Sequence, residues 1–166
     1  MVGLAAVLAL TATPALGWEV SALVARSEHT TNWQLVSPQG PMGTVFGAKV
    51  AAVQQVSLLA FEASVDGGWS DAHNGGPEGA VALVVGPGGD DLRLGVGIAQ
   101  LAYRQLDYRR DPAPTGATKY FYPRTFHATL AGRLGSFVAS LFLDQGLPGT
   151  EYTTSRFGLT VGVHFR

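Results

Sequence analysis

From Trp18 to its last residue the chain alternates between apolar and small or polar residues, a period of two. That period belongs to β-strands with one apolar and one polar face, and it excludes a helical bundle. Eight segments carry it: Trp18–His29, Gly43–Val53, Val56–Trp69, Gly79–Gly86, Leu92–Arg104, Tyr120–Arg133, Ser136–Gln145 and Ser155–Arg166. Between them lie glycine, proline and asparagine, the residues of turns.

The links alternate in length. Thr30–Met42, Ser70–Glu78, Gln105–Lys119 and Gly146–Thr154 are long, whereas Gln54-Gln55, Pro87–Asp91 and Leu134-Gly135 are short. A meander with tight turns on one rim and long loops on the other has this pattern, and so do membrane barrels. Parity agrees. In a closed sheet every strand must present its apolar set to the same face, because a slip of one residue reverses the faces. Pairing Val53 with Val56, Val85 with Leu92, and Arg133 with Ser136 keeps Val20, Val50, Phe61, Leu83, Leu94, Leu130, Leu141 and Val161 on one side.

Composition decides which side is outside. The chain is 46% hydrophobic and only 14% charged, against roughly 25% charged in an ordinary soluble domain. The polar face is made of Ser, Thr, Gly and Ala with about one charge per strand, which suits a crowded lumen rather than a wetted exterior. Leu23, Val138 and Phe142 break the pattern. Trp18, Phe137 and Phe165 at one rim, and Trp69, Tyr103, Tyr120 and Tyr122 at the other, fit interfacial girdles. The expected fold is therefore all-β: a closed antiparallel up-and-down transmembrane barrel of about eight strands.

No stretch is long and apolar enough for a transmembrane helix. Val2–Leu10 and Ala15-Leu16-Gly17 read as the apolar core and cleavage site of a secretory signal. Residues 1–17 are thus expected as signal peptide and 18–166 as barrel. The net charge of −1 argues against nucleic-acid binding, and without cysteine there are no disulfides, thiolate sites or cysteine nucleophiles.

Eight inward residues form a candidate lumen charge network: Glu19, Lys49, Glu62, Arg93, Arg133, Asp144, Arg156 and His164. Parity puts Asp144 beside Arg156 and Glu19 beside His164. A second candidate is the loop bearing Arg104, Arg109, Arg110, Lys119 and Arg124 among tyrosines, because Arg forks match phosphate. Its expected ligands are outer-membrane lipids and lipopolysaccharide. His127 with Thr129 is an alternative centre, a base beside a hydroxyl, with no acid at matching spacing. His29 and His73 read as solvated loop residues. Neither a metal site nor a cofactor is expected, and no catalytic residue is assigned.

The last strand, Arg156-Phe-Gly-Leu-Thr-Val-Gly-Val-His-Phe-Arg166, resembles the C-terminal strand of outer-membrane barrels, with its aromatic penultimate at Phe165. With the signal-like start, the chain resembles the small OmpA/OmpX-type barrels. That resemblance implies insertion in a bacterial outer membrane by the barrel-assembly machinery. A monomer is expected. It implies no activity, since fold does not fix function. The leading expectation is a non-enzymatic barrel with a packed polar lumen and surface loops that meet lipopolysaccharide or external partners. A lipid A-modifying hydrolase using His127 and a soluble periplasmic barrel binding an apolar ligand are the alternatives.

Overall fold

The computed structural model describes residues 16–31, 42–71, 76–89, 91–106, 118–147 and 152–166. They form β1 (Leu16–Thr31), β2 (Met42–Val56), β3 (Leu59–Ser70), β4 (Gly76–Pro87), β5 (Leu92–Leu106), β6 (Thr118–Phe121), β7 (Arg124–Leu134), β8 (Phe137–Gly146) and β9 (Tyr152–Phe165). Every strand pairs antiparallel with its neighbours, β1 pairs with β9, and β4 with β5, so the sheet closes.

Nine strands make eight staves. Tyr103 stands opposite Phe121, and Gln100 opposite Arg124, so both partners advance by three residues across the gap. β6 and β7 are thus one stave, interrupted at Tyr122-Pro123. Proline has no N–H for the ladder. The sheet compensates locally: Pro123 O still accepts from Leu101 N at 3.0 Å, and the Gln100 amide donates to Tyr122 O and Pro123 O.

The stagger follows from the register. Cross-strand partners lead from Trp18 to Ala52, Ala63, Leu83, Ile98, Phe126, Gln145 and Ser155, and return to β1 at Glu28, ten residues further on. Such a shear tilts the strands and sets the bore, and eight strands leave room only for side chains. Ten is even, so a face that starts outward ends outward.

Burial alternates accordingly. Val20, Phe61, Leu83, Leu94, Leu141 and Val161 are exposed, while Ser21, Glu62, Ala82, Arg93, Ser140 and Thr160 are buried. This inverts a lipocalin-like soluble barrel and leaves an exterior suited to acyl chains. Leu23 and Phe142 join Ala25 and Val45 in an apolar layer inside the bore, and Val138 is buried too.

The tight turns differ from expectation. The first falls at Ser57-Leu58, with Val56 opposite Leu59, and not at Gln54-Gln55. Ser57 takes φ 57°, left-handed backbone that non-glycine residues seldom adopt, and Gln55 Nε2 donates to Ser57 O at 3.2 Å. A second falls at Gly135-Ser136, with Gly135 at φ 62° and Leu134 opposite Phe137. Val85 meets Val96 rather than Leu92. Each expected pairing is displaced by an even number of residues, so the faces survive the error.

Two aromatic assignments also change. Trp69, Tyr120 and Tyr122 do lie exposed at the long-loop rim, but Tyr103 points into the bore at 2% exposure. Its neighbour across the sheet, Phe121, is buried beside it.

Candidate functional site

The interior holds two ionic networks, one toward each rim. Each charge is carried inward by the alternation of its strand, and a charge in so narrow a bore needs a partner.

Toward the short-turn rim, both ends of the Arg93 guanidinium donate to the two oxygens of Glu19 at 2.8 Å. Arg93 also lies 3.6 Å from Glu62, and Lys49 Nζ donates to Glu62 at 2.6 Å. His164 Nδ1 lies 3.2 Å from Glu19, its cross-strand partner. Arg133 sits at the rim, half-buried, in a recess with Arg93, His164 and Arg166.

Toward the long-loop rim, Arg156 is the hub. Its Nε donates to Asp144 Oδ2 at 2.9 Å, and its two terminal nitrogens donate to the two oxygens of Asp66 at 2.7 Å. His127 Nδ1 is 2.6 Å from the other Asp144 oxygen. The Phe142 ring lies under Arg156, 5.0 Å from its guanidinium carbon, and stacks with His127 at 5.9 Å. Nearer the mouth, Glu78 Oε2 accepts from Ser27 Oγ at 3.0 Å and lies 3.1 Å from His29 Nε2. The His29 ring stacks on Tyr103 at 3.7 Å, with the two planes nearly parallel. Between the networks Ser140 and Thr160 share a 2.6 Å hydroxyl hydrogen bond.

All eight residues named as lumen charges thus face or rim the bore, and seven of them form ion pairs with one another. Four participants were missed. Asp66 has inward parity within its strand, and parity alone would have found it. Glu78 was assigned to a link, but β4 begins at Gly76 and takes it into the sheet. Ser27 lies opposite Arg156. His29, read as solvated, is 3% exposed; its strand runs on to Thr31, which keeps it inside.

His127 gains an acid that spacing did not reveal, since Asp144 stands opposite it in register. Thr129 does not complete a catalytic set: its hydroxyl donates to Leu141 O at 3.3 Å. Of the second candidate, Arg104 and Arg124 are exposed near the long-loop rim, and Lys119 pairs through its backbone with Gln105. Arg109 and Arg110 lie outside the described residues, as does His73. Among the described residues no group of three or more His, Asp or Glu is gathered as metal ligands.

No protein-family model matches the chain, and no curated protein matches it. Solved structures do. Ail, the attachment invasion locus protein of Yersinia pestis, overlays with a TM-score of 0.54 over 90% of this chain and 98% of its own, at 12% identity. The chain has the fold of the small OmpA/OmpX-type barrels. Ail in complex with the heparin analogue sucrose octasulfate overlays at 0.51, with 12% identity over 90% and 99% of the two chains. The N-terminal β-barrel domain of Pseudomonas aeruginosa OprF gives 0.48, with 14% identity over 90% and 97%. Within this small-barrel fold the alternation places the interior of the chain described here.

Proposed function

We propose that this protein is a non-enzymatic integral barrel of a bacterial outer membrane, with its lumen filled by paired charges and its long loops making the contacts outside. One observation carries the reading: the charged groups of the bore are paired with one another, while Leu, Val and Phe cover the exterior. A bilayer suits the outside, and ion pairing suits the inside.

The long-loop rim supplies the binding surface in this reading. Between Arg104 and Arg124 the sequence carries five Arg or Lys against Asp107 and Asp111. Guanidinium forks favour phosphate and sulfate, so lipopolysaccharide phosphates are the proposed ligands. That Ail, of the same fold, was solved with a sulfated sugar is compatible with an anionic ligand at this rim. Removal of residues 1–17 as a signal peptide belongs to the same reading, as does delivery to the barrel-assembly machinery through Arg156–Arg166.

Cell fractionation tests the core of the proposal. The folded protein is expected in outer membranes, with faster gel migration before boiling than after. A soluble periplasmic product without that shift would sink it. Planar-bilayer recording tests the filled lumen: low conductance near pH 5 is expected, and a large steady conductance there would refute it. For the rim, replacing Arg104, Arg109, Arg110 and Arg124 with alanine should weaken binding to lipopolysaccharide and leave folding intact. Unchanged lipid A mass spectra with and without the protein are expected, and a protein-dependent loss of an acyl chain would favour the hydrolase alternative.

A further inference from the structure

The two networks differ in charge balance. Toward the short-turn rim Glu19 and Glu62 face Lys49, Arg93 and Arg133. Toward the long-loop rim three carboxylates, the buried Glu78 and Asp144 and the half-buried Asp66, face one cation, Arg156, and all three act on it electrostatically. Among the described residues, two negative charges in that half of the bore lack a fixed counter-charge.

Two imidazoles sit where those charges need balancing. His29 lies on Glu78, and His127 lies on Asp144. Each ring uses one nitrogen for its carboxylate. The other nitrogen, His29 Nδ1 or His127 Nε2, is buried without a hydrogen-bond partner. No second protein partner fixes the ring as neutral or charged, so it can gain or lose a proton without breaking another protein hydrogen bond.

Among the described residues the surroundings contain no other counter-charge. Around His29 stand Glu78 from β4, Ser27 from its own strand, Tyr103 from β5 and, as cross-strand partner, Thr154 from β9. Around His127 stand Asp144 and Phe142 from β8, with Gly97 opposite on β5. Arg156 is shared through Asp144, and Glu62 from β3 lies within electrostatic reach.

We propose that the long-loop half of the lumen is a pH-operated plug, closed by protons on His29 and His127 and loosened when they leave. The inference rests on the filled-lumen reading above. With both rings protonated, three carboxylates meet three cations and the half-bore is neutral. With both neutral, two carboxylate charges stand uncompensated in a space that excludes most water, which is a costly arrangement. Water and small cations entering from the long-loop mouth relieve it. Loss of those protons leaves the two carboxylates uncompensated, so the plug should loosen as pH rises.

The experiment is single-channel recording of the folded protein in planar bilayers at pH 5 and pH 8, in potassium chloride. Wild type should stay closed at pH 5 and show a severalfold larger, cation-selective conductance at pH 8. The variant H29Q/H127Q keeps amide donors but no imidazole in the long-loop half, and should conduct alike at both values. The variant E78Q/D144N leaves Asp66 balanced by Arg156 and no carboxylate charge exposed by loss of the ring protons, so its conductance should not rise from pH 5 to pH 8. As a second reading, the temperature at which the folded gel band is lost should be lower at pH 8 than at pH 5 in wild type and constant in both variants. Closed wild-type channels with equal melting at both pH values would overturn the switch while leaving the filled lumen intact. A pH response that persists in H29Q/H127Q would overturn it by assigning the effect to other groups. Strong conduction already at pH 5 would remove the filled lumen itself, and the switch with it.

Discussion

Asp144 on β8 and Arg156 on β9 stand directly opposite each other in the sheet and meet at 2.9 Å, both completely buried. Neither is satisfied by the other alone. Arg156 spends its remaining nitrogens on Asp66, and Asp144 spends its remaining oxygen on His127.

The asymmetry of that hub sets the order of three variants. Arg156→Ala strands two carboxylates and should be the worst, at about 3–5 kcal/mol of unfolding free energy. Asp144→Ala and Asp66→Ala each leave Arg156 one carboxylate and should cost less. The Asp144→Ala/Arg156→Ala pair should depart from additivity by about 0.5–3 kcal/mol. Urea unfolding in lipid vesicles measures all of these, and strict additivity would mean the ion pair does not operate.

The exterior makes a separate prediction. Leu141 is exposed near the middle of β8, between the buried Ser140 and Phe142. Leu141→Arg should cost about 2–4 kcal/mol in a bilayer, as a cation at the lipid-facing midplane does. An equal stability for the variant in vesicles would mean that the faces are reversed.

Gly158 explains how a phenylalanine fits inside so narrow a bore. A Cβ there would run into the Phe142 ring and the Ala25 side chain. Gly158→Ala should therefore cost about 1–3 kcal/mol through overpacking. In a Phe142→Ala background the same change should cost clearly less, and an equal cost in both backgrounds would dissociate the two residues.

The first tight turn can be improved. Ser57 holds φ 57°, which costs an L-residue with a Cβ roughly 1–2 kcal/mol. Ser57→Gly should raise stability by about 1 kcal/mol or slightly less, because glycine also loses more freedom on folding. A destabilised variant would contradict the turn geometry.

The faces of the barrel were legible because each rests on many residues at once. Val20, Leu83 and Leu141 need only the right parity, and errors in turn placement conserved it. The turns themselves rest on one or two residues. Gln54-Gln55 looked polar enough to turn, whereas the chain turns at Ser57-Leu58 with an apolar side chain at the tip. The lumen was legible in part for a related reason. Asp144–Arg156 and Glu19–His164 are direct cross-strand neighbours, which register predicts. Arg156–Asp66 and Arg93–Glu19 reach across the bore between strands that do not pair. Such contacts depend on the stagger of the closed sheet, which no single strand records. Tyr103 and His29 were misread because strand ends, and so the depth of a residue below the rim, were set too short.

The even stagger gives the chain something like a reading frame, with a repeat of two residues instead of three nucleotides. Adding or removing a pair of residues at a turn lengthens or shortens a hairpin and leaves its message intact. Adding one residue within a strand is a frameshift: beyond that point, lipid-facing leucines turn into the bore and paired charges turn toward acyl chains. Drift among descendants of this barrel should therefore accumulate freely in loops and in doublets at turns. Single-residue insertions inside strands should survive only where a bulge restores the frame.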